Sequence, residues 1–152
     1  MRKLLYRPKP FLEETLFFPS RENEDRLAQI LSKAKKTMEI CVFAFTNDKL
    51  RDGVLHAHRS GCKIRVITDD ECSRFAGAEI YNLGKMGIPV TMDNNVRFHM
   101  HNKFVVIDSE VLITGSFNWT SQAVSSNQEN LLILQNESLC ELYQLEFEKL
   151  WL

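Results

Sequence analysis

Between residues 99 and 118 the chain reads His99-Met100-His101-Asn102-Lys103, then Asp108, then Gly115-Ser116-Phe117-Asn118. Side chains alternate along a strand, so His101 and Lys103 share a face, as do Ser116 and Asn118. The apolar runs Phe104-Val105-Val106-Ile107 and Val111-Leu112-Ile113 flank a polar Asp108-Ser109-Glu110, which is a β-hairpin signal. A two-residue turn at Ser109-Glu110 pairs Asp108 with Val111. It sets Lys103 opposite Ser116 and His101 opposite Asn118. A four-residue loop gives the same register, whereas a three-residue loop shifts it. Directly opposed residues of an antiparallel pair point to the same side, roughly 4.5–5.5 Å apart at Cβ.

That register gathers an imidazole, an ammonium, a hydroxyl and a carboxamide, with no carboxylate from these two strands. Such a set suits an anion with several oxygens. Lys103 offers charge, and Ser116 and Asn118 offer neutral donors. His101 is the group able to act as nucleophile or proton carrier near neutral pH. A phosphodiester fits better than a peptide, which calls for a Ser–His–acid relay, or a glycoside, which calls for two carboxylates. His99 and His101 at i, i+2 could chelate a metal. No adjacent Cys or carboxylate completes such a site, so no metal is expected there. Glu129, in Asn127-Gln128-Glu129-Asn130, stands alone in the sequence, as most exposed glutamates do. Trp119 is expected to pack rather than stack on a base.

The elements that must hold these groups fit one domain, residues 1–152. The 152 residues are 44% apolar and 26% charged, near the globular average. No run approaches the roughly 18 apolar residues of a membrane span. The basic opening Met1-Arg2-Lys3-Leu4-Leu5-Tyr6-Arg7-Pro8 is followed by no long apolar stretch and does not read as a signal peptide. Arg2, Lys3, Arg7 and Lys9 read equally as the flank of a membrane anchor or as a frayed terminus. A net charge of −1 excludes a protein that coats nucleic acid by bulk charge, so any phosphate-rich partner must meet a local patch. Cys41, Cys62, Cys72 and Cys140 form no C-x-x-C pair and are expected as reduced, buried thiols.

Strands and helices alternate through the first two thirds. Ser20 or Asn23 caps a helix carrying Leu27, Ile30, Leu31 and Ala34. Residues 39–45 read as a buried strand. Asn47 caps a second helix that stops at Ser60-Gly61. Residues 63–68 read as a strand, 76–86 as a helix, and 88–92 as a short strand in which Pro89 marks either a sheet edge or the strand's first residue. Beyond the hairpin, residues 130–135 form a further strand. Ser138-Leu139-Cys140-Glu141 reads as a capping box for a last helix with Leu139, Leu142, Tyr143, Phe147 and Leu150 on one face. The expected fold is α/β: a mixed β-sheet with helices on both faces, an α-β-α sandwich.

His101-x-Lys103-x-x-x-x-Asp108, followed by Gly115-Ser116-x-Asn118, resembles the HKD signature of the phospholipase D superfamily. Leu16-Phe17-Phe18-Pro19-Ser20, Val42-Phe43-Ala44-Phe45 and the segment from Leu112 to Thr120 resemble the Zucchini / mitochondrial cardiolipin hydrolase group. That branch is similar to bacterial endonucleases with one HKD motif per chain. The resemblance implies a metal-independent phosphodiesterase that works through a phosphohistidine and needs no cofactor. His101, Lys103, Asp108 and Glu129 take the catalytic positions, with Glu129 as the acidic partner that orients the His. Lys103, Ser116 and Asn118 bind the phosphate oxygens. Asp108 is expected to hold the hairpin end rather than touch substrate. One motif per chain implies a homodimer with the active site at its two-fold axis. The substrate would be single-stranded RNA or DNA, or alternatively an anionic phospholipid such as cardiolipin, hydrolysed to phosphatidic acid. The implied location is the cytosolic face of the mitochondrial outer membrane. The anchor and the Cys/His zinc insertion common in the group have no counterpart here: Ser20 runs straight into Arg21-Glu22-Asn23, so no zinc is expected.

Overall fold

A computed structural model describes residues 13–73, 79–93 and 97–151. The basic N-terminal residues Arg2, Lys3, Arg7 and Lys9 lie outside them, as does the first turn of the helix expected over 76–86. In chain order the elements are β1 (Glu13–Phe18), α1 (Arg21–Ser32), β2 (Thr37–Val42), α2 (Asp48–Arg59), β3 (Lys63–Thr68), α3 (Asp70–Ser73), α4 (Ile80–Lys85), β4 (Val90–Met92), β5 (Lys103–Ile107), β6 (Val111–Gly115), α5 (Ser121–Ser125), β7 (Glu129–Gln135) and α6 (Glu137–Trp151).

Local chemistry accounts for the helix starts. Ser20 Oγ accepts from the Asn23 N–H at 3.1 Å, and Asn47 Oδ1 accepts from the Leu50 N–H at 2.9 Å. Asn47 also donates from Nδ2 to Glu24 at 2.7 Å, in a buried bond that ties the start of α2 to α1. Helices α1 and α2 approach so closely that a Cβ at Gly53 would lie 2.8 Å from the Ala28 carbonyl oxygen. Only glycine admits that approach.

The strands form one mixed sheet in the order β1-β7-β6-β5-β2-β3-β4. β2, β3 and β4 are parallel, and every other neighbouring pair is antiparallel. One face buries Met38, Ile40, Val42, Val105, Ile107, Ile113, Leu131 and Ile133 with residues of α1, α2 and α5. The other buries Cys41, Ile67, Phe104, Val106 and Leu112 beneath Cys140 and Phe147 of α6. The expected α-β-α sandwich is therefore the observed architecture, with β4 at the sheet edge.

Three expectations need correction. The hairpin pairs Phe104 with Thr114 and Ile107 with Val111, so Lys103 lies level with Gly115 and not with Ser116. The loop has three residues because Asp108 and Ser109 adopt φ of 55° and 57°, letting the Glu110 N–H reach the Ile107 carbonyl at 3.0 Å. Asn136, not Ser138, caps α6: its Oδ1 accepts from the Leu139 N–H at 3.0 Å. Leu142 points away from the core and is 62% exposed, while Cys140 faces inward. Elements β1 and α5 were not anticipated from the sequence. Both are short, and β1 finds its partner β7 more than a hundred positions away.

Candidate active site

The site forms where β5 begins. Val42 and Lys103 are the last pair between β2 and β5. On the other side, β6 ends at Gly115, which pairs with Leu131 of β7. A Cβ at Gly115 would lie 2.1 Å from the Asn130 carbonyl oxygen, so a side chain is excluded there. The chain then crosses from the end of β6 to the residues after β2. The Trp119 N–H bonds the Ala44 carbonyl at 3.0 Å, and the Thr46 and Asn47 N–H groups bond the Trp119 carbonyl at 2.8 and 3.0 Å. Because β5 lies between β6 and β2, this crossing passes over the Lys103 end of β5.

Aromatic anchors fix the crossing. Phe117 is fully buried and stacks on Phe18 at 4.0 Å; Trp119 is buried and meets Phe45 edge-on at 4.8 Å. Ser116 is exposed and Asn118 half-buried, alternating with these anchors. Trp119 thus packs in the core.

The polar groups converge as follows. Lys103 Nζ lies 3.2 Å from Nδ1 and 3.4 Å from Nε2 of His101, and donates to the His101 carbonyl at 2.9 Å. Phe43 forms the wall behind both: its ring centroid is 4.8 Å from the His101 ring and 5.4 Å from Lys103 Nζ. Burial holds the Lys103 ammonium below the usual lysine range, and the charge of Glu129 opposes that shift in part. Ser116 Oγ donates to Glu129 Oε2 and accepts from the Asn130 N–H at 3.1 Å. The Asn118 Oδ1 atom is buried and has no hydrogen-bond partner among the described residues. That acceptor oxygen is left without a partner, which is costly unless a donor group meets it. A cleft of about 410 Å³ beside His101 is lined by Asp93, His99, Asn102 and Lys149, with Phe98, Met100 and Leu150 as its apolar part.

Two of the sequence-derived residues sit differently from the rest. Asp108 is at the far end of β5, where its carboxylate accepts from the backbone N–H groups of Lys35, Lys36 and Thr37 at 2.6–3.2 Å. It pins the hairpin tip to the α1–β2 connection and takes no place among the groups around His101. Glu129 bonds Ser116 and the Asn127 Nδ2 (3.1 Å), not the His101 ring.

The sequence also missed a neighbour. His99 does have carboxylates beside it: its Nδ1 lies 3.1 Å from the buried Asp69 Oδ2, and its Nε2 lies 3.9 Å from Glu71 Oε2. No carboxylate adjoins His99 in the sequence; these partners come from thirty and twenty-eight positions earlier in the chain. The one local signal was the place of Asp69, directly after the parallel strand β3, at the sheet end where α/β sites form.

Comparison with known proteins shows which family the chain resembles. The profile described as "Cardiolipin synthase, PLD-like domain" matches residues 27–151. The "Mitochondrial cardiolipin hydrolase" of Chlamydomonas reinhardtii is 41% identical over 126 residues, 83% of this chain and 56% of that protein. Its namesake from Mus musculus is 40% identical over 132 residues, 87% of this chain and 59% of that protein. The chain thus spans a little over half the length of these curated relatives. Among solved structures, the phospholipase D family member Nuc from Salmonella typhimurium superposes with a TM-score of 0.82 at 22% identity, covering 93% of this chain and 94% of that one. NucT from Helicobacter pylori gives a TM-score of 0.82 at 22% identity, covering 92% and 95%.

Proposed function

Because this chain belongs to the phospholipase D-like family, we propose that it is a metal-independent phosphodiesterase acting through a phosphohistidine, and that its substrate is single-stranded RNA or DNA. The observation that carries this reading is the exposed His101 imidazole with Lys103 Nζ at 3.2 Å. His101 attacks phosphorus through a ring nitrogen, forming a P–N bond as the P–O bond to the leaving group breaks. Lys103 and the Asn118 Nδ2 hold the non-bridging oxygens, where charge builds in the transition state, and Ser116 joins them once its hydroxyl proton turns from Glu129 to the phosphate. The leaving oxygen takes a proton from a second imidazole. That imidazole, now neutral, deprotonates the water that cleaves the P–N bond and restores His101. Glu129 enters this scheme through Ser116, which it orients. No step asks for a metal or cofactor.

A second copy of the chain would supply the second imidazole, with two His101 residues meeting across a two-fold axis. Sedimentation should then give a dimer. Mixing wild-type chains with inactive His101→Ala chains should then lower activity below the wild-type share, because every mixed dimer lacks one of the two imidazoles.

The alternative reading is hydrolysis of cardiolipin to phosphatidic acid, favoured by the names of the relatives at 40–42% identity. The cleft beside His101 argues for nucleic acid. It offers Asn102, His99 and Lys149 to a phosphate-bearing strand, beside an apolar part of Phe98, Met100 and Leu150 on which a base could rest. The relatives carry mitochondrial names, which supports a location for this chain at the mitochondrion, at the cytosolic face of its outer membrane. Among the described residues no helix is long and apolar enough to cross a membrane. Protease protection of a tagged protein on isolated mitochondria tests that location.

One assay separates the substrates. In excess chelator, wild type and His101→Ala receive labelled single-stranded RNA, single-stranded DNA and cardiolipin liposomes. Cutting of nucleic acid that disappears with His101, with lipid untouched, is the expected result. Lipid hydrolysis alone establishes the alternative, and a strict need for Mg²⁺ overturns the mechanism.

A further inference from the structure

We infer that Asp69 is a positioning residue for His101, a role that rests on the phosphodiesterase reading for its kinetic consequence but not for its structural one. Asp69 follows β3 directly and is fully buried. Its Oδ2 accepts from the Met100 N–H at 3.1 Å, one residue before His101, and lies 3.1 Å from His99 Nδ1. Its Oδ1 accepts from the Glu71 N–H at 3.0 Å, which fixes the carboxylate plane. Asp93 Oδ2 shares the Met100 N–H at 3.1 Å.

The same residue also holds the wall on which the His101 ring rests. The Asp69 N–H donates to the Phe43 carbonyl at 3.4 Å, and the neighbouring Thr68 Oγ1 donates to it at 3.1 Å. The Phe43 ring in turn packs 4.8 Å from the His101 ring. Backbone before the nucleophile and ring behind it are therefore both tied to one buried position. The Met100 side chain completes the anchor, with the Cys41 thiol 3.3 Å from its sulfur. His101 itself lies outside the strand ladder, since β5 starts at Lys103. Without ladder bonds of its own, residue 101 needs such a clamp to keep a near-attack geometry.

Asn at position 69 keeps the size of the side chain but offers one acceptor oxygen where three donors converge. The side-chain hydrogen bonds of Asp69 go to Glu71, His99 and Met100 and not to Lys103, Ser116 or Asn118. The test compares wild type, Asp69→Asn and Glu39→Gln. Glu39 is a buried carboxylate paired with Arg65, away from His101, so it controls for the mere loss of a buried acid. The readouts are thermal unfolding, kcat and KM on bis(p-nitrophenyl) phosphate in chelator, and the NMR signal of the His101 ring, assigned by its loss in His101→Ala. Asp69→Asn is expected to lower kcat by about 10–100-fold, to change KM by less than about threefold, and to displace the His101 signal. Glu39→Gln should unfold at a lower temperature with kcat and the His101 signal unchanged.

A folded Asp69→Asn with wild-type kcat and an unmoved His101 signal overturns the proposal, as does an equal loss of kcat in Glu39→Gln. Should Asp69→Asn not fold, hydrogen exchange of the Met100 amide in the wild-type protein decides. Slow exchange supports the clamp, and exchange at the rate of an open loop sinks it. If wild type cleaves no phosphodiester while Asp69→Asn still displaces the His101 signal, the positioning role stands and the functional reading falls.

Discussion

Lys103 shows how a single residue's surroundings set the working range of the site. An ammonium must be charged to hold a phosphate, and burial lowers the pH at which Lys103 loses that charge. The sign follows: phosphate affinity should weaken on the alkaline side earlier than for an ordinary lysine. Lys103→Arg, whose guanidinium does not titrate, should remove this limb from the pH profile of KM while lowering kcat through its different geometry. An unchanged alkaline limb in Lys103→Arg would remove Lys103 from the phosphate site. Asp108 belongs to the same motif but to a different task. Asp108→Ala leaves the Lys35, Lys36 and Thr37 amides without their acceptor. We expect a loss of about 2–3 kcal/mol in unfolding free energy. kcat per folded molecule should stay near wild type. A selective loss of kcat without destabilisation would return Asp108 to the chemistry.

At the scale of elements, the hairpin β5–β6 and its exit carry the site. Gly115 sits where β6 hands the chain to the Phe117–Trp119 crossing, and its neighbour strand leaves no room for a Cβ. Gly115→Ala should force β6 and β7 apart, displace Ser116 and Asn118, and lower both stability and kcat. The stability cost is about 1–3 kcal/mol by the general cost of overpacking. A variant as stable and active as wild type would mean that the β6–β7 contact is not needed. The elements were largely legible beforehand. Ser20 and Asn47 announced α1 and α2 through capping chemistry that acts within three residues. β3 was legible in full, because alternation of Lys63, Ile64, Arg65 and Val66 is a local property. β1 was not, since its strand state depends on β7. The α6 start was misplaced because Ser138 and Asn136 are both competent caps, and the packing of Cys140 against the sheet chooses between them.

Across the whole molecule, one sheet with two cores leaves the thiols inside. All four cysteines are free and buried. Burial pushes the Cys41 thiol up to about 12 and those of Cys62, Cys72 and Cys140 up to about 11. Little thiolate is then expected at neutral pH, and buried thiols react slowly. A thiol reagent such as DTNB should therefore modify the native protein slowly, at the rate of opening, and modify all four promptly in denaturant. Prompt labelling of the native state would contradict the packing of α6 and β2.

The amino-acid sequence alone determined which groups could meet. Lys103 opens one strand of a hairpin, His101 stands just before it, Ser116 and Asn118 follow the end of the other strand, and the motif spacing carries the family with it. The sandwich followed from apolar runs and caps, whose physics acts over a few residues. Only the tertiary structure decided the register, because the positive φ of Asp108 and Ser109 sets the loop length and no residue type there demands it. It also decided that Asp108 reaches back over seventy positions to the α1–β2 connection, and that Asp69 holds Met100 and His99. A buried carboxylate must find donors wherever the fold leaves backbone N–H groups without partners. Those donors belong to distant segments, so their identity is a property of the packed chain and not of any local pattern.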